Sequence, residues 1–162
     1  QLVVTSSQHS LHPFPMNIPQ YITTEEVHRV CSELGIRDWT ALTEAAVTLE
    51  EAVLLKELVG GEALAISTED FRDGLEVELE HGVAFPDANV TNNHPLLTAR
   101  IVLAHLKEML DYYLRLRVAE IEGDMCKALA GNDPEKLMAK YRLLLESRAE
   151  LARREAPCSE RP

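Results

Sequence analysis

Apolar residues recur through most of the chain at the three- and four-residue spacing of amphipathic helices, with turn residues between the runs. The first run is Val27, Val30, Cys31 and Leu34. Thr23 and Glu26 ahead of it form a capping box and Gly35 behind it is a helix stop, so a first helix is expected between them. Ala45, Ala46, Leu49, Val53, Leu54 and Leu58 predict a second helix from Leu42 to Leu58, ended by Gly60 and Gly61. A third helix opens at Ser67 or Thr68, where Glu69 and Asp70 suit an N-terminus, and stops at Gly82. The segment VAFPDANVTNNHP (83–95) reads as a loop. Beyond it the pattern predicts one long fourth helix from Leu96 to Ala130. Gly131-Asn132-Asp133 then turns the chain, with Asp133 as N-cap and Pro134 as first residue of a fifth helix running to about Arg154. Val118, Ile121, Met125 and Leu129 on one side, and Leu137, Tyr141, Leu144 and Leu151 on the other, make the last two helices an αα-hairpin.

The expected fold is therefore all-α, a bundle of about five helices with a C-terminal hairpin. Residues 21–156 form one helical domain, with the hairpin over 117–156, and the 162-residue length fits a single core. Pro13, Pro15 and Pro19 keep residues 1–20 extended as an N-terminal arm or leader, with Met16 the expected initiation site. Residues 157–162 read as a frayed tail. Aromatic residues are only 5% of the chain while Leu, Ala and Glu are plentiful, which favours helix over strand.

Charge narrows the partners. With 27 acidic and 16 basic residues the net charge is −11, which repels phosphate backbones and anionic membranes, so no nucleic-acid or membrane binding is expected. No apolar run approaches the roughly 20 residues that span a bilayer. Cys31, Cys126 and Cys158 are an odd number without close spacing and read as free thiols in a reducing cytosol, so the expected location is cytoplasmic.

Two helices carry residue types able to do chemistry. On a helical wheel Glu78 and His81 fall within the apolar arc of Phe71, Leu75 and Leu79, whereas Glu76 and Glu80 fall opposite, with Arg72 and Asp73, as a solvated face. His105 lies inside the apolar arc of the fourth helix near Tyr112, and Glu108 lies at its edge. Each helix thus offers a carboxylate and an imidazole three residues apart, which share a face. A carboxylate aimed at a core needs a cation, a metal or strong donors. If the two pairs converge, Glu78, His81, His105 and Glu108 make a reasonable ligand set for zinc, iron or manganese, with redox or hydrolytic chemistry to follow. The same groups could do metal-free acid–base work. Alternatively the chain is a non-catalytic interaction or structural module, in which Glu78 accepts from His105, Arg100 or Tyr112 and the cluster only fixes the core. The residues do not separate these readings.

FRDGLEVELEHG (71–82), NVTNNHPLLTARIVLAHLKE (89–108) and DYYLRL (111–116) resemble a small bacterial family of unknown function whose members carry VELEHG, NVTN and AHLxE…DYY segments. The likeness covers residues 66–116. It implies a shared site or core at Glu78, Glu80, His81, Asn89, Thr91, His105, Glu108, Asp111 and Tyr112, and implies no activity. His94 stands where the pattern leads one to expect an acid, and the helix at 42–58 looks like an insertion.

The fourth helix is apolar around most of its circumference, and the hairpin is long for so small a bundle. Its stripe of Val118, Ile121, Met125, Leu137, Leu144 and Leu151 would then lie open to water, so a homodimer built on the hairpin is expected.

Overall fold

The computed structural model describes residues 21–159, so the expected arm over 1–20 and the end of the expected tail lie outside the described residues. Within them the chain forms six α-helices and three short 3-10 turns, with no strand.

Helix α1 (Thr24–Leu34) has the predicted ends: Thr23 Oγ1 accepts from Glu26 N–H at 3.2 Å, and Gly35 closes it at φ 65°. Val27, Val30 and Cys31 are its buried face. Helix α2 (Leu49–Val59) begins seven residues later than expected. Its cap is a full capping box, Thr48 with Glu51, which outweighs the helical spacing of Ala45 and Ala46; at α1 only the Thr23 half of the expected box forms, because the Glu26 carboxylate is taken by Arg29. The residues before it are held by side chains instead: Ala46 O accepts from Arg37, and Val47 N–H donates to Glu76.

Helix α3 (Thr68–Ala84) runs past the predicted stop at Gly82. Helix α4 spans Pro95–Glu108 and α5 spans Tyr112–Ala130, so the single fourth helix expected over 96–130 is two. Met109 adopts an extended conformation (φ −152°, ψ 128°) and cuts the helix with neither Gly nor Pro in the break. Helix α6 (Pro134–Ser159) follows the expected turn, where Asp133 accepts from Lys136 N–H at 2.9 Å, and continues beyond Arg154.

One core is shared by α1–α5. Its largest fully buried side chains are Trp39, Phe71, Leu55, Leu75 and Leu79, with Tyr113 packed at the edge. Glu51, 4% exposed, crosses this core boundary: it accepts from Arg37 at 2.6 Å and 3.0 Å, and from the Trp39 indole at 3.3 Å. Burial raises its pKa, but the Arg37 pair, the Thr48 N–H and the indole outweigh that and hold the carboxyl below its usual range. The hairpin of α5 and α6 closes through Ile121, Ala128, Leu144 and Ser147. Its far helix returns to the body through Arg154, which grips both oxygens of Asp70 near the start of α3.

Candidate functional site

The site begins with a missing side chain. A β-carbon on Gly74 of α3 would lie 2.6 Å from the Tyr113 ring and 2.7 Å from Val102, so only glycine admits this close approach. One helical turn on, Glu78 shares that face and meets the phenol. Tyr113 Oη donates to Glu78 Oε1 at 2.9 Å. His105 Nδ1 on α4 lies 3.0 Å from the same carboxylate oxygen and 3.1 Å from the phenol oxygen. Three helices therefore meet in one triangle of polar atoms. The break at Met109 makes this possible, because it re-aims α5 so that Tyr113 points back at α3.

Aromatic contacts finish the cluster. Tyr112 stacks on His105 with ring centroids 4.3 Å apart and planes 6° from parallel, and Tyr113 meets the imidazole edge-on at 5.9 Å. Burial, and then the negative charge of Glu78, push the Tyr113 hydroxyl far above its ordinary pKa, so it stays protonated and donates. The Glu78 side chain is 17% exposed and that of His105 30%. With the imidazole as its Nδ1–H tautomer, one phenolic proton and one Nδ1 proton fill the three contacts of the triangle.

The other sequence candidates stand elsewhere. His81 is exposed in the last turn of α3, and Glu108 is exposed as the final residue of α4. Neither joins Glu78 and His105, and among the described residues no group of three or more His, Cys, Asp or Glu side chains is placed to hold a metal ion. Asp111 accepts from Arg115 at 2.8 Å at the start of α5. Glu76 is not part of a solvated face: half-buried, it accepts from Val47 N–H at 3.0 Å and fixes the segment before α2. Glu80 is exposed, as its phase predicts.

Asn89 and Thr91 belong to a second cluster. Asn89 Nδ2 donates to Gly82 O at 3.3 Å and to Asn93 Oδ1 at 2.8 Å, and Thr91 donates to Asn89. Asn93, 7% exposed, donates onward to Trp39 O, and Asn92 donates to Ile22 O at 2.6 Å. Both take left-handed φ values, 48° for Asn92 and 59° for Asn93, which asparagine tolerates. The NVTNN segment thus ties α1, α3 and the Trp39 turn to the start of α4. Sequence reasoning missed Asn93 and chose Tyr112 over Tyr113. The repeated asparagines before a helix-starting proline were the available signal for Asn93.

A cleft of about 450 Å³ opens between α3 and the hairpin, with Tyr113, Leu106 and Val77 in its lining and Glu69, Asp73, Glu80, Glu120 and Glu150 along it. No helix among the described residues is long and apolar enough to cross a membrane.

The model of a family described as a protein of unknown function, DUF5661, matches residues 27–122, from α1 into α5, and leaves α6 outside. No curated protein and no solved structure matches the chain.

Proposed function

This chain belongs to the DUF5661 family, and we propose that it is a non-catalytic helical interaction module whose Glu/His cluster fixes its core. The observation that carries the reading is the closed triangle of Glu78 Oε1, Tyr113 Oη and His105 Nδ1, in which each atom lies within hydrogen-bond distance of the other two. A half-buried network that links three helices in this way sets their relative positions. The rival reading, a zinc, iron or manganese centre on Glu78, His81, His105 and Glu108, needs ligands that stand apart.

The stripe expected to lie open to water is not open, since Ile121 and Leu144 are buried between α5 and α6 and Val118, Met125, Leu137 and Leu151 are half-buried, so the face offered to a partner is instead the outer side of the hairpin. Met138, Tyr141 and Leu145 recur at helical spacing on α6 and are 52%, 45% and 51% exposed, beside the buried Leu144 and Ser147. An exposed apolar stripe of this kind favours a second copy of the chain across a two-fold axis.

Elemental analysis of untagged protein, run beside light scattering, tests both statements. The module reading expects no stoichiometric transition metal, no change in melting temperature on chelation, and a mass of twice the 18.1 kDa chain. A stoichiometric metal that disappears in both His81→Ala and His105→Ala would overturn the first statement. A mass of one chain at micromolar concentration would overturn the second.

A further inference from the structure

His94 is the residue just ahead of α4, and the family likeness does not account for it. It is 7% exposed, and its Nδ1 is buried with no hydrogen-bond partner. It does not cap the helix with its side chain. Its backbone is fixed instead: its N–H donates to Thr91 O and its carbonyl accepts from Thr98 N–H, both at 3.0 Å. The imidazole is thus held in place by the chain around it, with one nitrogen sealed from water.

We propose that His94 is an acid-sensitive latch, which as a neutral ring seals α1 against the start of α4 and on taking a proton releases it. An imidazolium has two N–H groups to satisfy, and the buried Nδ1–H would have no acceptor. The charge would also stand at the positive end of α4. The charged groups near the ring are Glu26 and Arg29, both on α1. Glu26 could offset the new charge, but both its oxygens are already bound by Arg29, at 2.6 and 2.8 Å, and Arg29 itself opposes it. The loop before the ring and the first turn of α4, Asn92, Asn93, Pro95, Leu96 and Leu97, contribute no charge.

Burial therefore holds this imidazole below its ordinary value, outweighing Glu26 and the backbone of His94 itself, which oppose it, while Arg29 assists. The undocked form takes the proton first as the pH falls. Docking of α1 is complete above the ordinary histidine range and weakens below it. The residue uncovered is Cys31, 2% exposed on the inner face of α1.

The test follows Cys31 with a pyridyl disulfide, which reports thiols in acid, in the full chain carrying Cys126→Ser and Cys158→Ser. Rates are expressed relative to the urea-unfolded chain at each pH. The latch expects the relative rate to rise about tenfold between about pH 7.5 and about pH 5, and to stay flat in His94→Gln and His94→Phe. His28→Gln should keep the rise, since the partner of His28 is Asp38, at 3.0 Å. A parent chain with no rise, or the same rise in both His94 variants, would overturn the latch. Where one variant fails to fold, the other decides. Amide exchange in α1 that does not change across the titration of the His94 ring sinks the proposal.

Discussion

Gly82 and Asn93 are packed so closely that a β-carbon on the glycine would sit 2.0 Å from Asn93 Oδ1. The asparagine cannot simply retreat, because its amide nitrogen is committed to Trp39 O and its oxygen to Asn89. Gly82→Ala should therefore destabilise the fold by about 1–3 kcal/mol, the usual range for overpacking a filled site. Urea unfolding of the full chain measures it. A loss within a few tenths would mean that the loop can slide.

Tyr113→Phe deletes one oxygen from the triangle and leaves Glu78 without its phenol donor. A loss of about 1–3 kcal/mol is expected, and a comparable one for Glu78→Ala. Glu80→Ala, on the exposed side of the same helix, should stay within about 0.5 kcal/mol. Equal effects at Glu78 and Glu80 would contradict the inward orientation of Glu78.

Glu76→Ala belongs with the first group rather than the second. It removes the acceptor of Val47 N–H and should cost about 1 kcal/mol. Hydrogen exchange gives the sharper readout. Protection of the Val47 amide should collapse in this variant while that of the α3 interior persists.

Acid should expose the Glu51 network. Its carboxyl is held below its ordinary value in the fold, so the stability it contributes is present above the unfolded carboxylate range and is lost below it, as the pH falls through the lowered value of the fold. Glu51→Gln should flatten that acid limb of the stability curve, and Arg37→Ala should cost about 2 kcal/mol at neutral pH. Urea midpoints collected from pH 3 to 7 separate the variants. An unchanged acid limb in Glu51→Gln would assign the acid sensitivity to other groups.

Leu145→Glu places a charge on the exposed α6 stripe and leaves the buried Leu144 in place. Light scattering should then give the mass of one chain with an unchanged circular dichroism spectrum. A dimer that survives the substitution would move the interface elsewhere.

How far the sequence could be read depended on whether the deciding interaction was local. The ends of α1 and the turn before α6 were legible because their caps lie within three residues of each other. Glu78 was legible as an inward carboxylate because its phase follows from Phe71, Leu75 and Leu79. Its partner was not. Tyr112 and Tyr113 both fall in the apolar arc of a continuous helix, and only the break at Met109 selects Tyr113 for the carboxylate and Tyr112 for the stack. Nothing in Met109-Leu110-Asp111 announces that break, since all three residues tolerate helix. Glu76 misled for the same reason: the amide it accepts from lies 29 residues away. Gly74 and Gly82 look like weak points of a helix until the residues pressed against them, Tyr113 and Asn93, are known.

The Met109–Asp111 break also governs what lengths of chain this architecture can accept. One residue added there would change the point at which α5 starts and the direction in which its first turn is aimed. Tyr113 would swing off Glu78 and His105, the Gly74 notch would stand empty, and α6 would be carried round with the helix it packs on. The same addition at Gly131–Asp133, where the turn residues are exposed, disturbs only the crossing between two helices that can re-register on each other. Insertions and deletions in this lineage should therefore gather at the hairpin tip and avoid the three residues between α4 and α5.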